Sequence, residues 1–185
     1  MSSTSERAFA ANVLGCLARS IVDRQDLGMT AVAGRGGSAP AALVTLLWYP
    51  DRSIGSLATR LRISHPGAVQ LVDGLVRDGL VERVDGADGR SRLLRLTTSG
   101  EALAGAVLTQ RTRVLERAIA DLDDAACRAM SALVSTMLEA LADDLLTSEF
   151  MCRLCDEGSC PDDRCPVERA EPAPPTRRGR GYGTR

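Results

Sequence analysis

The stretch Ser64-His65-Pro66-Gly67-Ala68-Val69-Gln70-Leu71-Val72-Asp73-Gly74-Leu75-Val76-Arg77-Asp78-Gly79 decides the reading of this chain. Ser64 is a good N-cap, because its hydroxyl can take up a free backbone N–H of the first helical turn. Pro66 falls inside that turn, where a missing N–H costs little. Val72, Leu75 and Val76 recur at helical spacing and make one apolar face. Gly79 supplies the left-handed residue that ends a helix. His65, Gly67 and Gln70 fall on the outside of the first turns. Small and amide side chains permit close approach to another surface, and Gln can make two hydrogen bonds to an adenine edge. The pattern implies an amphipathic helix whose polar start reads DNA.

Working outward, residues 53–63 form a second short helix, capped by Ser53, with Leu57 and Leu61 four apart and a tight turn at Arg62-Ile63. Two short helices joined this closely make a helix-turn-helix. On the other side, Leu80-Val81-Glu82-Arg83-Val84 and Arg90-Ser91-Arg92-Leu93-Leu94-Arg95-Leu96-Thr97 flank the turn Asp85-Gly86-Ala87-Asp88-Gly89. Two β-prone runs around an Asp/Gly-rich turn read as a hairpin. A helix-turn-helix followed by a hairpin is a winged helix.

Residues 53–97 as a whole resemble the MarR family of bacterial transcription regulators. The resemblance rests on Leu57-Ala58, Ile63-Ser64-His65-Pro66, Leu71-Val72-Asp73, Asp78-Gly79-Leu80-Val81-Glu82-Arg83, and Asp88-x-Arg90 ahead of Leu94-Arg95-Leu96-Thr97. It implies a homodimer on double-stranded DNA, with recognition helices in successive major grooves. It also implies a wing arginine in the minor groove, which by position is Arg90, oriented by Asp88. Ser64, His65, Gln70 and Arg92 complete the expected DNA-binding set. The chain departs from the family at Gly67, where a Thr is frequent, and at Gln70, where Arg or Lys is frequent. Both departures alter the base-reading set.

Composition narrows the rest. The 185 residues suffice for one core with appendages, and at 44% hydrophobic but 3% aromatic that core must be aliphatic. All 23 basic residues are Arg, which we read as genomic codon bias, and the formal net charge is -1. DNA binding therefore has to rest on local clustering, supplied by Arg83, Arg90, Arg92 and Arg95. There is no transmembrane run and no signal peptide, so the expectation is a cytoplasmic protein without membrane partners. Six cysteines in that reducing compartment suggest metal or redox chemistry before disulfides.

Residues 5–27 read as a helix with an apolar stripe of Phe9, Val13, Leu14, Leu17 and Ile21. Residues 31–41 read as a Gly-rich loop into a helix capped by Ser38 and running from Pro40 to Tyr49. Trp48 and Tyr49 stand either in the core or on a ligand pocket. Residues 99–122 read as a long helix opened by Ser99. A further helix begins at Asp123-Asp124 and carries apolar residues to Leu145. With the N-terminal helix these two would form the dimer interface. Cys16 and Cys127 are expected as small buried hydrophobes.

From Phe150 the character changes. Cys152, Cys155, Cys160 and Cys165 follow a C-x2-C-x4-C-x4-C spacing, which suits tetrahedral Zn²⁺. The spacing is similar to a retroviral-type zinc knuckle with Cys160 in place of its His. Cys160-Pro161 and Cys165-Pro166 resemble the Cys-Pro ending of ferredoxin loops, so an iron–sulfur cluster is the alternative, ahead of free redox-active thiols. The Pro/Gly/Arg-rich end should be disordered.

The organisation expected is thus mainly α with a small β-hairpin wing: a dimerisation helix (1–30), a winged helix-turn-helix domain (38–98), further dimerisation helices (99–149), a cysteine-rich metal-binding segment (150–168) and a tail (169–185). An enzyme is not expected, because the single histidine, His65, is committed to the recognition helix and no nucleophile has an imidazole partner. The function expected is a DNA-binding regulator, a repressor, answering to a small-molecule effector, a metal or a redox signal. The alternative is a redox or metal-binding protein whose winged helix serves protein contacts.

Overall fold

The computed structural model describes residues 3–86, 91–142, 149–160 and 165–170. In chain order these form α1 (Ser3–Ala33), α2 (Ala39–Trp48), α3 (Ile54–Leu61), α4 (His65–Arg77), β1 (Val81–Asp85), β2 (Arg92–Leu96), α5 (Thr98–Ile119), α6 (Asp124–Leu141) and α7 (Pro166–Ala170). The fold is the expected one, mainly helical with a two-stranded antiparallel hairpin.

The helix-turn-helix forms where its caps dictate. Ser53 Oγ accepts from the Ser56 N–H at 3.1 Å, and Ser64 Oγ from the Gly67 N–H at 3.2 Å. Between them Arg62 ends α3 in the left-handed conformation, φ 52°, and its N–H turns back to the Thr59 carbonyl at 3.1 Å. The inner faces of α3 and α4 bury Leu57, Leu61, Val72 and Leu75 against Leu43 and Leu46 of α2. That core is aliphatic, as the scarcity of aromatics requires. In the wing Val81 pairs with Leu96 and Asp85 with Arg92. Arg52 adds a bridge to Leu94, so the chain entering α3 runs beside β2.

A tight junction joins α4 to α5. Gly79 takes φ 68° after α4, a conformation that favours glycine, and the Leu80 N–H reaches the Leu75 carbonyl at 2.9 Å. Thr97 then crosses from the end of the wing. Its N–H donates to the Leu80 carbonyl at 3.1 Å and its hydroxyl to the Gly79 carbonyl at 2.7 Å. The same hydroxyl oxygen accepts from the Gly100 N–H at 3.1 Å and so caps α5. A Cβ at Gly100 would stand 2.0 Å from the Leu80 carbonyl oxygen, so only glycine lets the two segments meet. Thr97, and not Ser99 as the sequence implied, opens α5.

Other boundaries also move. The first helix runs to Ala33, past the expected end near residue 27, because Met29 and Ala33 bury against Val44 and Val107. Such tertiary burial outweighs the weak helix propensity of Gly28. Ser38 precedes α2, but its side chain makes no capping bond; its carbonyl accepts the Ala42 N–H at 2.9 Å. The strands start at Val81 and Arg92, each inside the expected runs.

α5 lies against α1 and α2. α6 buries none of its residues and meets α7, where Arg169 holds Glu139 at 2.6 Å. Apolar side chains on α1 and α6 remain open, with Phe9 66%, Leu133 63% and Leu141 66% exposed. Cys16, expected in the core, is exposed on α1, and Cys127 is half-buried.

Replacing Gly100 with Ala should destabilise the protein by about 1–3 kcal/mol, the usual cost of overpacking, because the nearest obstacle, the Leu80 carbonyl, is backbone and not a movable side chain. Denaturant unfolding reads the loss; an unchanged midpoint would show that the junction tolerates a side chain.

Candidate nucleic-acid interface

α4 presents its outer face because its inner face is consumed by the core. Ala68, Val72 and Leu75 are fully buried, and opposite them Pro66, Gln70, Asp73 and Arg77 are exposed. Their spacing of four, three and four residues stacks them into one ridge. His65 is exposed beside the start of that ridge, and Ser64 is spent on the cap. A Cβ at Gly67 would lie 3.1 Å from Ser64 Oγ, so glycine keeps the cap uncrowded. Asp73 and Arg77 were missed by the sequence reading, although counting helical turns from Gln70 finds them.

Three of the four arginines singled out for clustering, Arg83, Arg92 and Arg95, are held by carboxylates. Arg83 Nη2 lies 2.5 Å from Asp73 Oδ1, tying β1 to α4. Arg92 Nη1 lies 2.5 Å from Asp85 Oδ1 across the hairpin. Arg95 grips Asp51 through two contacts from Nη2, at 2.7 and 2.9 Å, and one from Nε at 3.1 Å. Arg35 pairs with Asp78 just past α4. Exposed pairs like these add little stability. They do fix where each guanidinium points, and they mute the positive field of this face. Asp88 and Arg90, expected at the wing tip, lie outside the described residues.

Of the two places left open for Trp48 and Tyr49, the core and a ligand pocket, Trp48 takes the first. Trp48 packs on the cluster of Met29, Ala33, Val44 and Val107. Tyr49 lies under Arg60, whose guanidinium is 4.1 Å from the ring centroid. Burial, with a hydrogen bond to Glu157, pushes the Tyr49 hydroxyl pKa up. A cleft of about 530 Å³ opens instead between α1 and α5, where Leu17, Ile21 and Val114 meet Arg24, Arg113 and Arg117.

The cysteine segment folds back onto the winged helix. Leu154 packs against both core clusters, and Phe150 lies between Arg62, 5.6 Å from its centroid, and Arg153, 3.7 Å. Cys152 and Cys155 are hydrogen-bonded to one another. That bond holds the Cys155 thiol down at about 7, with Arg111 and Arg60 assisting against burial. The same bond, with burial, pushes Cys152 up. Among the described residues, no three His, Cys, Asp or Glu side chains are yet gathered closely enough to hold a metal ion. Among those residues, too, no helix is long and apolar enough to cross a membrane.

Comparison with known proteins bears on this architecture. Residues 36–91 match the model of the MarR family. The YusO protein from Bacillus subtilis superposes with a TM-score of 0.68 at 18% identity, covering 76% of this chain and 99% of that one. A MarR family protein from Bacillus stearothermophilus gives 0.67 at 21%, covering 77% and 100%. MepR, a transcription regulator of the Staphylococcus aureus multidrug efflux pump MepA, gives 0.63 at 20%, covering 71% and 97%. No curated protein matches the sequence. The fold is thus that of the MarR winged-helix proteins, and the resemblance read from residues 53–97 holds.

Ser64→Ala should cost about 1 kcal/mol through loss of the cap on α4. Chemical denaturation measures it, and an unchanged stability would mean that Ser64 does not cap α4 in solution.

Proposed function

We propose that this chain, with its MarR-family segment at residues 36–91 and its MarR-type fold, is a homodimeric, sequence-specific DNA-binding transcription regulator acting as a repressor, and not an enzyme. The observation that carries the reading is the geometry of α4: a capped helix with a fully buried inner face and an exposed outer ridge centred on Gln70. Such a helix fits the major groove, with its N-terminal end toward the bases. A variant of the structural neighbour MepR has been seen bound to an oligodeoxyribonucleotide.

In this reading Gln70 and His65 read base edges and Ser64 supports them through the cap. Arg92 reaches phosphate beside the wing, where the family resemblance also puts Asp88 and Arg90. Because Arg83, Arg92 and Arg95 already have carboxylate partners, binding exchanges one anion for another at each. Non-specific affinity is accordingly low, and discrimination falls to the ridge. The open apolar faces of α1 and α6 support the dimer, since a second copy would cover Phe9, Leu133 and Leu141. The α1–α5 cleft is the effector site of this proposal, and its apolar floor with three arginines suits an apolar anion.

A gel-shift titration on DNA upstream of the gene should show tight binding that weakens steeply with salt. Gln70→Ala should change the preferred sequence, with about 1–3 kcal/mol lost on the native site. Arg90→Ala should weaken binding to all sequences. Equal affinity for any DNA, unaffected by Gln70→Ala, would favour a winged helix used for protein contacts.

Leu133→Glu should give a monomer by light scattering, because a charge cannot be buried unpaired in the seam. The winged helix should stay folded. A dimer that persists would remove α6 from the interface.

A further inference from the structure

We infer that Cys152, Cys155, Cys160 and Cys165 take up one Zn²⁺ ion, which clips the C-terminal segment onto the turn of the helix-turn-helix. The first support is how local folding brings the four thiols near one another. The Cys155 N–H closes a turn on the Cys152 carbonyl at 2.9 Å. Asp156 then folds the next residues back, its carboxylate accepting from the Gly158 N–H at 3.1 Å and the Ser159 hydroxyl at 2.8 Å. Cys160 follows directly. Cys165 is 6% exposed at the start of α7 and accepts the Arg169 N–H at 3.1 Å. Cys152 is hydrogen-bonded to Cys155, and Cys160 and Cys165 act on it electrostatically. None of the four is in a disulfide, and the remaining two cysteines, Cys16 and Cys127, belong to α1 and α6.

The second support is the charge around them. Four thiolates outweigh the charge of Zn²⁺ and leave a dianion, which a buried site must neutralise. Arg60 and Arg111 act on Cys155 from the body of the fold, on α3 and α5. Arg60 is only 12% exposed, stacks on the Tyr49 ring at 4.1 Å and has Glu149 and Glu157 at 4.0 and 3.9 Å. Standing beside Cys155, it can offset part of the negative charge of a zinc–thiolate centre.

The third support is what the segment lacks. Its own apolar anchors are few, chiefly Leu154 and Val167, and small units of this kind commonly draw their folding energy from a metal. Because the thiols are near one another without yet converging, zinc would draw Cys160 and Cys165 onto the Cys152–Cys155 pair, to Zn–S bonds of about 2.3 Å. The clip would then hold Phe150 against Arg62, the residue that makes the turn between α3 and α4.

Metal content of the full chain, purified anaerobically without chelator, tests this independently of any DNA binding. We expect about one zinc per chain and a colourless protein. Cys16 and Cys127 should then react with a thiol reagent, and all six cysteines should react once zinc is chelated. A Cys16→Ser/Cys127→Ser protein should keep its zinc, and Cys160→Ser should lose it. Should Cys160→Ser fail to fold, Co²⁺ added to the metal-free wild-type chain should give the visible bands of tetrahedral cobalt–thiolate. A chain that takes up neither metal, with all six thiols reactive throughout, overturns the inference. So does a brown, iron-containing protein, which would assign the thiols to an iron–sulfur cluster, and so does zinc retained after all four cysteines are replaced by serine.

Discussion

The close approach of Gly100 to the Leu80 carbonyl is the constraint on which the rest of the structure depends. It sits where the recognition helix has just ended and the long helix α5 has just begun. Thr97 stitches the same point with three hydrogen bonds, using one hydroxyl both to cap α5 and to hold the Gly79 carbonyl. The wing is the loop that this stitch closes. The orientation of α4 is therefore fixed to α5, and through α5 to α1, against which it lies. In the proposed dimer built on α1 and α6, the distance between the two α4 helices would be set by helices outside the proposed DNA-reading face. A ligand in the α1–α5 cleft would act on the same frame.

The charge arrangement on this face has a consequence for selectivity. A formal net charge of -1 gives little long-range attraction to DNA, and the arginines nearest α4 and the wing are already matched to Asp51, Asp73, Asp78 and Asp85. Phosphate binding has to displace or share those carboxylates, so backbone contacts contribute less net free energy than unpaired arginines would. The pairs also hold each guanidinium in place, which lowers the ordering cost when a phosphate arrives at the right spot. Under the proposed function, this balance would leave discrimination to the Gln70 ridge and the wing.

Much of this was legible in the residues. Ser53 and Ser64 announced their helices because a cap is a local device, and Gly79 announced its stop for the same reason. The hairpin was legible as two β-prone runs around an Asp/Gly turn. What escaped notice was set by distant neighbours. Gly100 resembles any glycine in a helix until Leu80 is seen against it. The extra turns of α1 depend on Met29 and Ala33 meeting Val107. Cys16 was assigned to the core from its apolar surroundings, but that stripe is left exposed. The core placement of Trp48 was one of two open readings, whereas the cation–π contact of Tyr49 escaped because it depends on how Arg60 of α3 meets α2.

The proposed function, with two α4 helices on one dimeric frame, makes a geometric demand on the operator, and hydroxyl-radical footprinting of DNA upstream of the gene tests it most directly. The account predicts two protected tracts of related, inverted sequence with centres about 10 bp apart, one for each α4. A single protected tract, or uniform protection without a boundary, would contradict it.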